Sequence, residues 1–142
     1  MTTALIDYLS DLNTWQAALD SQQAVFAAML PGASIGIIPK REFHSPGGNM
    51  LVWEARQGRM VALEQGFSGI RSVGVDLLFV SDDEAIEALH GLRGSAAFEE
   101  MKEFIRQGSI LFYVLKTKDA LLDLGFEEFL EALGLAFIGA CR

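Results

Sequence analysis

An α+β fold is predicted for this chain: one domain over residues 1–142, built on a single mixed β-sheet of five or six strands with an antiparallel hairpin, and with helices packed mainly on one face. Three observations carry the prediction. Two unbroken apolar runs, Leu-Leu-Phe-Val at 77–80 and Ile-Leu-Phe-Tyr-Val-Leu at 110–115, are short and rich in strand formers, as strands buried on both faces are. Each is followed by helical signals, and that alternation favours crossover connections and parallel neighbours. Finally, residues 50–56 and 59–65 flank Gln57-Gly58, a two-residue turn ending in glycine, which is a hairpin signal.

Taken in order, the apolar residues Leu5, Leu9, Leu12, Leu19, Phe26 and Met29 recur every three, four or seven positions, the mark of an amphipathic helix laid on a sheet. Thr3 is placed to cap it. Asn13 with Gln16 forms a second capping signal, so two helices with a break near Leu12 are expected before Pro31-Gly32 ends the segment. Residues 35–38 form a short apolar strand closed by Pro39, either an edge strand or one that ends as it leaves the sheet. The stretch 40–49, with Ser45-Pro46 and Gly47-Gly48-Asn49, carries turn chemistry and is expected as a loop. The hairpin follows, with imperfect alternation and one wet face, and residues 67–73 are a loop between glycines.

After the strand at 77–80, Ser81 and Glu84 read as a capping box, with Asp82 and Asp83 in the positive first turn of a helix. Ile86 and Leu89 give that helix an apolar side, His90 suits its negative end, and Gly91 closes it. A further helix starts at Ser95, with Phe98, Met101, Phe104 and Ile105 opposite Glu99, Glu100, Glu103 and Arg106, and ends at Gly108. Beyond the run at 110–115, Thr117 and Asp119 start helix through Leu124. Gly125 divides it from 126–133, Gly134 closes it, and 135–140 is expected as a last strand. The runs around Phe79 and Phe112 should lie side by side in the middle of the sheet, shielded by helices.

Apolar residues make up 51% of the chain and charged residues 21%, which excludes a disordered protein and leaves apolar surface for a large core or a subunit interface. The net charge of −8 disfavours nucleic acid and anionic membrane surfaces as partners. Acids dominate both ends, while Lys40, Arg41, Arg56, Arg59 and Arg71 outnumber Glu42, Glu54 and Glu64 in the middle third, the one region an anion would favour. A single cysteine, Cys141, permits no intrachain disulfide. With no signal-peptide pattern and no apolar stretch long enough to span a bilayer, a cytoplasmic protein is expected.

No nucleotide-binding glycine motif, serine elbow, Cys-x-x-Cys pair or calcium loop is present, so no catalytic residue, metal or cofactor is implied. The acidic clusters read as helix caps and solvated faces. His44 is the most informative titratable group, standing in a polar loop beside Lys40 and Arg41. If that loop folds back over the hairpin turn, Lys40, Arg41, His44, Arg56 and Arg59 converge on a phosphate or carboxylate ligand, with backbone amides of Gly47, Gly48 and Gly58 as added donors. The plainer reading pairs the arginines with neighbouring glutamates. Trp15 and Trp53 read as core or interface anchors.

In bulk composition the chain is similar to the dimeric chaperones of bacterial type III secretion, from which its strand-helix-strand ending departs. Residues 36–89 resemble part of a lipid-binding SYLF domain but lack its aromatic and glycine signatures. No family is recognised. Two readings of function remain. The favoured one is a non-catalytic binding or regulatory domain, a homodimer that engages a protein partner through apolar surface. The alternative is an anionic small-molecule site, with or without catalysis, built from the basic loop and hairpin around His44.

Overall fold

The computed structural model describes residues 11–90, 92 and 95–134. Helices α1 (Leu12–Asp20) and α2 (Gln23–Phe26) lead into β1 (Ser34–Pro39), the short helix α3 (Lys40–His44), and the hairpin β2 (Asn49–Arg56) and β3 (Arg59–Gly66). Strand β4 (Leu77–Ser81), helices α4 (Asp83–His90) and α5 (Ser95–Gln107), strand β5 (Ile110–Val114), and helices α6 (Lys118–Leu124) and α7 (Glu127–Ala132) follow. The five strands form one mixed sheet in the order β3-β2-β1-β4-β5. Strands β1 and β4 are parallel, and the other three pairs are antiparallel. The α+β class and single mixed sheet are therefore as predicted.

Alternation along the strands divides the interior in two. Ile35, Ile37, Leu51, Trp53, Leu77, Phe79 and Ile110 face the helices α1, α2, α4, α5, α6 and α7. Ile38, Met50, Val52, Leu78 and Val80 face the other way, where Phe67 and Val75 of the connecting loop and Phe43 of α3 cover them. Helices thus pack mainly on one face, as expected, and a loop closes the second. A Cβ at Gly36 would crowd Met50, Val75 and Leu78, so glycine lets that cover lie close.

The hairpin is as read from the sequence: Gln57 and Gly58 take φ of +41° and +84°, the pair of positive values a type I′ turn requires. The wet face is narrower than expected, because β2 is buried on both sides and only β3 meets solvent. Several local expectations are corrected. A helix starts at Leu12 as expected, but with Asp11 and not Asn13 at its N-cap, and a further break falls at Ser21-Gln22; Thr3, Leu5 and Leu9 lie outside the described residues. Strand β1 is central in the sheet; Pro39 ends it where it leaves the ladder and serves at once as the N-cap of α3, so the expected loop at 40–49 begins as helix. Ser81 remains in β4, buried and paired with Pro39 and Ile110, and its hydroxyl donates to the Asp82 carbonyl, so it forms no capping box with Glu84.

Strand β5 departs most from expectation. It pairs antiparallel with β4 and is the edge strand among the described residues, with Leu111 and Val114 exposed. The connection through α4 and α5 returns the chain beside β4 in the opposite sense, because two helices, unlike one, can bring it back to the end it left. Phe79 and Phe112 still lie side by side, ring centroids 5.2 Å apart. Thr117 caps α6 by accepting from the Ala120 amide, and Gly125 ends it at φ +88°. The expected strand at 135–140 and Cys141 lie outside the described residues. No described helix is long and apolar enough to cross a membrane.

Candidate functional site

The basic residues singled out by the sequence do not converge. Lys40, Arg41 and His44 lie on α3 at the end of the sheet where β1 finishes, whereas Arg56 and Arg59 flank the hairpin turn at the opposite end of β2, roughly 20 Å away along the strand. Each charged group is also engaged locally. Lys40 Nζ bonds Asp82 at 3.0 Å and the Gly108 carbonyl at 3.2 Å, and Arg41 pairs with Asp83, which ties α3 to the start of α4. Arg56 meets Glu54 at 3.5 Å. Arg59 donates twice to the Asp20 carboxylate, at 3.2 and 3.0 Å, and the guanidinium holds that carboxyl below its usual range while its own pKa is raised. His44 is exposed, its ring edge-on to Phe43. Glu42 accepts from the Gly48 amide.

A different site lies on the helical face. Three elements and the sheet leave a small cleft of about 30 Å³ whose wall is apolar throughout. Helix α1 contributes Trp15, Ala18 and Leu19, β2 contributes Trp53, α4 contributes Leu89, and α5 contributes Ala97, Phe98 and Met101. Sequence spacing explains the donors. Trp15, Ala18 and Leu19 lie at i, i+3 and i+4 on one side of α1, Ala97, Phe98 and Met101 lie at i, i+1 and i+4 on one side of α5, and Trp53 is an odd-numbered β2 residue that faces the helices. The alanines leave the gap that larger side chains would fill. Trp15 and Trp53 stand 6.4 Å apart at 49°, and Phe26 meets Trp53 edge-on at 6.3 Å. Trp53 is 6% exposed, and its Nε1 is the one buried side-chain nitrogen or oxygen among the described residues that lacks a hydrogen-bond partner.

Polar groups hold the walls in place from outside. His90, at the end of α4, sits edge-on to Trp15 at 5.7 Å and meets the Asp11 carboxylate through Nε2 at 2.8 Å. The Thr14 hydroxyl donates to the same carboxylate, and these two bonds hold Asp11 below its usual pKa. On the sheet side, Gln16 accepts from the Ala62 amide and donates to the Met60 carbonyl, and Gln23 accepts from the Met60 amide. The two glutamines occupy hydrogen-bonding positions on β3 that another strand would otherwise use. Sequence reasoning missed these pairings because 79 positions separate Asp11 from His90 and 46 separate Gln16 from Ala62. Among the described residues no three His, Cys, Asp or Glu side chains gather as a metal ion would need.

Fold and site together describe an α+β domain with an apolar cleft roofed by an N-terminal helix. No family model matches the chain, and no curated protein matches it. Solved structures do. The chain is similar to a UbiJ-SCP2 ubiquinone synthesis protein at 12% identity, over 87% of this chain and 86% of that one, with a TM-score of 0.45. It is similar to a conserved protein of Thermus thermophilus described as a candidate sterol carrier protein, at 14% identity over 96% and 91% of the two chains, TM-score 0.41. A sterol carrier protein 2 matches at 15% identity over 90% and 88%, TM-score 0.39. At such identities and TM-scores, function has to be read from this chain's own residues.

Proposed function

We propose that the chain is a non-catalytic binding domain for a small apolar molecule, seated in the cleft between α1, α4, α5 and the Trp53 face of the sheet. The observation that carries the reading is a concave, wholly apolar wall that includes two tryptophans, the lining character of small-ligand sites. It keeps the small-molecule alternative drawn from the sequence and moves it. The ligand is apolar and sits under α1, because no cationic side chain lines the cleft and the described ion pairs of Lys40, Arg41, Arg56 and Arg59 engage their own acids.

The test uses the protein's only two tryptophans, both of which line the site. Bromobenzene, a contact quencher, should reduce their emission saturably. Ala18→Phe fills the cleft from a half-buried helical position, and should abolish the saturable part while leaving the melting temperature within a few degrees of the parent. Linear, unsaturable quenching in the parent would refute the reading. A homodimer is the second reading, favoured by exposed Leu111 and Val114 on β5. Sedimentation velocity at micromolar concentration tests it, and a clean monomer refutes it.

A further inference from the structure

We infer, on the reading that the chain is a homodimer, that two copies join through β5, edge to edge and antiparallel about a twofold axis at Phe112, so that the two five-stranded sheets become one continuous sheet. The ladder says which groups are available. Leu115 N bonds the Asp76 carbonyl and Asp82 N bonds the Ser109 carbonyl, so in the antiparallel register of β5 on β4 residues 109, 111, 113 and 115 turn their amides and carbonyls towards β4. The amides and carbonyls of Ile110, Phe112 and Val114 point the other way, and no strand lies there among the described residues. These three residues are spaced evenly about Phe112. Only a pairing of 112 with 112 and of 110 with 114 uses all of them in both copies.

Side chains match in that register. On the helical face Ile110 falls opposite Val114 of the second copy, and on the other face Leu111 falls opposite its Tyr113, so that every cross-strand pair is apolar or aromatic. Leu111 and Val114, 41% and 42% exposed, are the side chains this covers. Charge points to a second copy as the occupant. Each copy carries −8, so copies repel over most of their surface and can meet only where charge is absent. Ile110–Val114 holds no charged residue, no proline and no bulge, the devices by which edges are kept apart. The cations at its two ends are offset within each copy, Arg106 by Glu103 at 2.9 Å and Lys116 by Asp76 at 2.8 Å. The opposite rim of the sheet is closed to such pairing, because Gln16 and Gln23 occupy groups of Met60 and Ala62 and Glu64 adds charge. Five residues a side, against the roughly 20–30 of a standard interface, set a weak and reversible dimer with a Kd on the order of 10 µM.

Two measurements on the whole chain test this. Sedimentation equilibrium from about 1 to 200 µM should show a monomer–dimer equilibrium that Leu111→Lys weakens about tenfold or more, because each dimer then loses two apolar pairs and brings two ammonium groups close. Leu111 is exposed, so the variant should melt within a few degrees of the parent. In the ¹⁵N-labelled parent, amide exchange at Phe112 and Val114 should slow as concentration rises, while Leu111 and Tyr113, already bonded to β4, stay slow throughout. The exchange is read in the parent, so a poorly folding variant does not remove the test. A dimer whose Phe112 and Val114 amides exchange at the monomer's rate, or that Leu111→Lys leaves intact, would overturn the inference and leave the homodimer standing. Slow exchange of those two amides in the dilute monomer would also overturn it, since the chain itself would then cover the edge. A monomer at every concentration would overturn both.

Discussion

Gln16→Leu should unfasten α1 from the sheet. The substitution removes both polar atoms of the side chain, so the Ala62 amide loses its 2.8 Å bond and the Met60 carbonyl its 2.9 Å bond. Both contacts are partly buried. Two net hydrogen bonds at about 1 kcal/mol each, with an added fraction for leaving the amide poorly solvated, give a loss of roughly 2–3 kcal/mol. For a chain of this size that corresponds to a fall in melting temperature of about 6–10 °C. Urea unfolding followed by tryptophan emission reads it well, because Trp15 lies on the helix that is released and its neighbour Trp53 on the sheet beneath. Gln16→Glu is the sharper control: it keeps an acceptor for the Ala62 amide but turns a carboxylate oxygen towards the Met60 carbonyl. It should be no better than leucine. Opening β3 also frees hydrogen-bonding groups at a sheet edge, so sedimentation of Gln16→Leu should show self-association beyond that of the parent. A stability loss under about 0.5 kcal/mol, with unchanged sedimentation, would show that water replaces the glutamine and that α1 is held by Trp15 and Leu19 alone.

Three other outcomes are expected. Asp11 and Asp20 both have pKa values lowered below 3.8 in the folded chain, so their contribution is complete above that value and is lost as pH falls through the lower folded values. Acid titration should therefore loosen α1 below about pH 4, and the step should shrink in the pair Asp11→Asn and Asp20→Asn; an unchanged step would assign it to other carboxylates. Gly125→Ala places a Cβ against the backbone of Ala28 and Met29 at φ +88°, which should cost roughly 3 kcal/mol or more; a denaturation midpoint near the parent's would refute it. Asp76 is 4% exposed, accepts from the Ser34 amide at 2.9 Å and Lys116 at 2.8 Å, and fastens β1 beside the start of β4. Asp76→Ala leaves the amide unpaired, and a loss of about 3 kcal/mol should appear in urea unfolding, with Lys116→Met costing less because Lys116 reaches solvent.

The candidate site was legible in its materials and illegible in its assembly. Trp15 and Trp53 stand out in the sequence as anchors, and each helix that lines the cleft announces its apolar side by spacing. Nothing local says that the side of α1 carrying Trp15 lies over Trp53, or that Ala18 and Ala97 face the same gap. His44 drew attention by its polar neighbours and proved exposed, while His90, assigned to a helix end, also meets Asp11 from α1. Charge counting grouped Lys40 and Arg41 with Arg56 and Arg59 because they are near in sequence. The length of β2 separates them.

By itself the sequence determined the α+β class, the hairpin and its turn, the two apolar runs as strands, and the helices from Ser95, Thr117 and Phe126. Each of these is set by short-range physics: side-chain periodicity, a capping hydroxyl, a glycine that alone adopts positive φ without strain. Only the tertiary structure decided that β1 is central, that β5 turns antiparallel to an edge, that glutamines finish the rim of β3, and that an apolar cleft remains under α1. Those outcomes depend on which distant surfaces bury one another most completely, and pairings such as Gln16 with Ala62 and Asp11 with His90, 46 and 79 positions apart, leave no periodic trace along the chain.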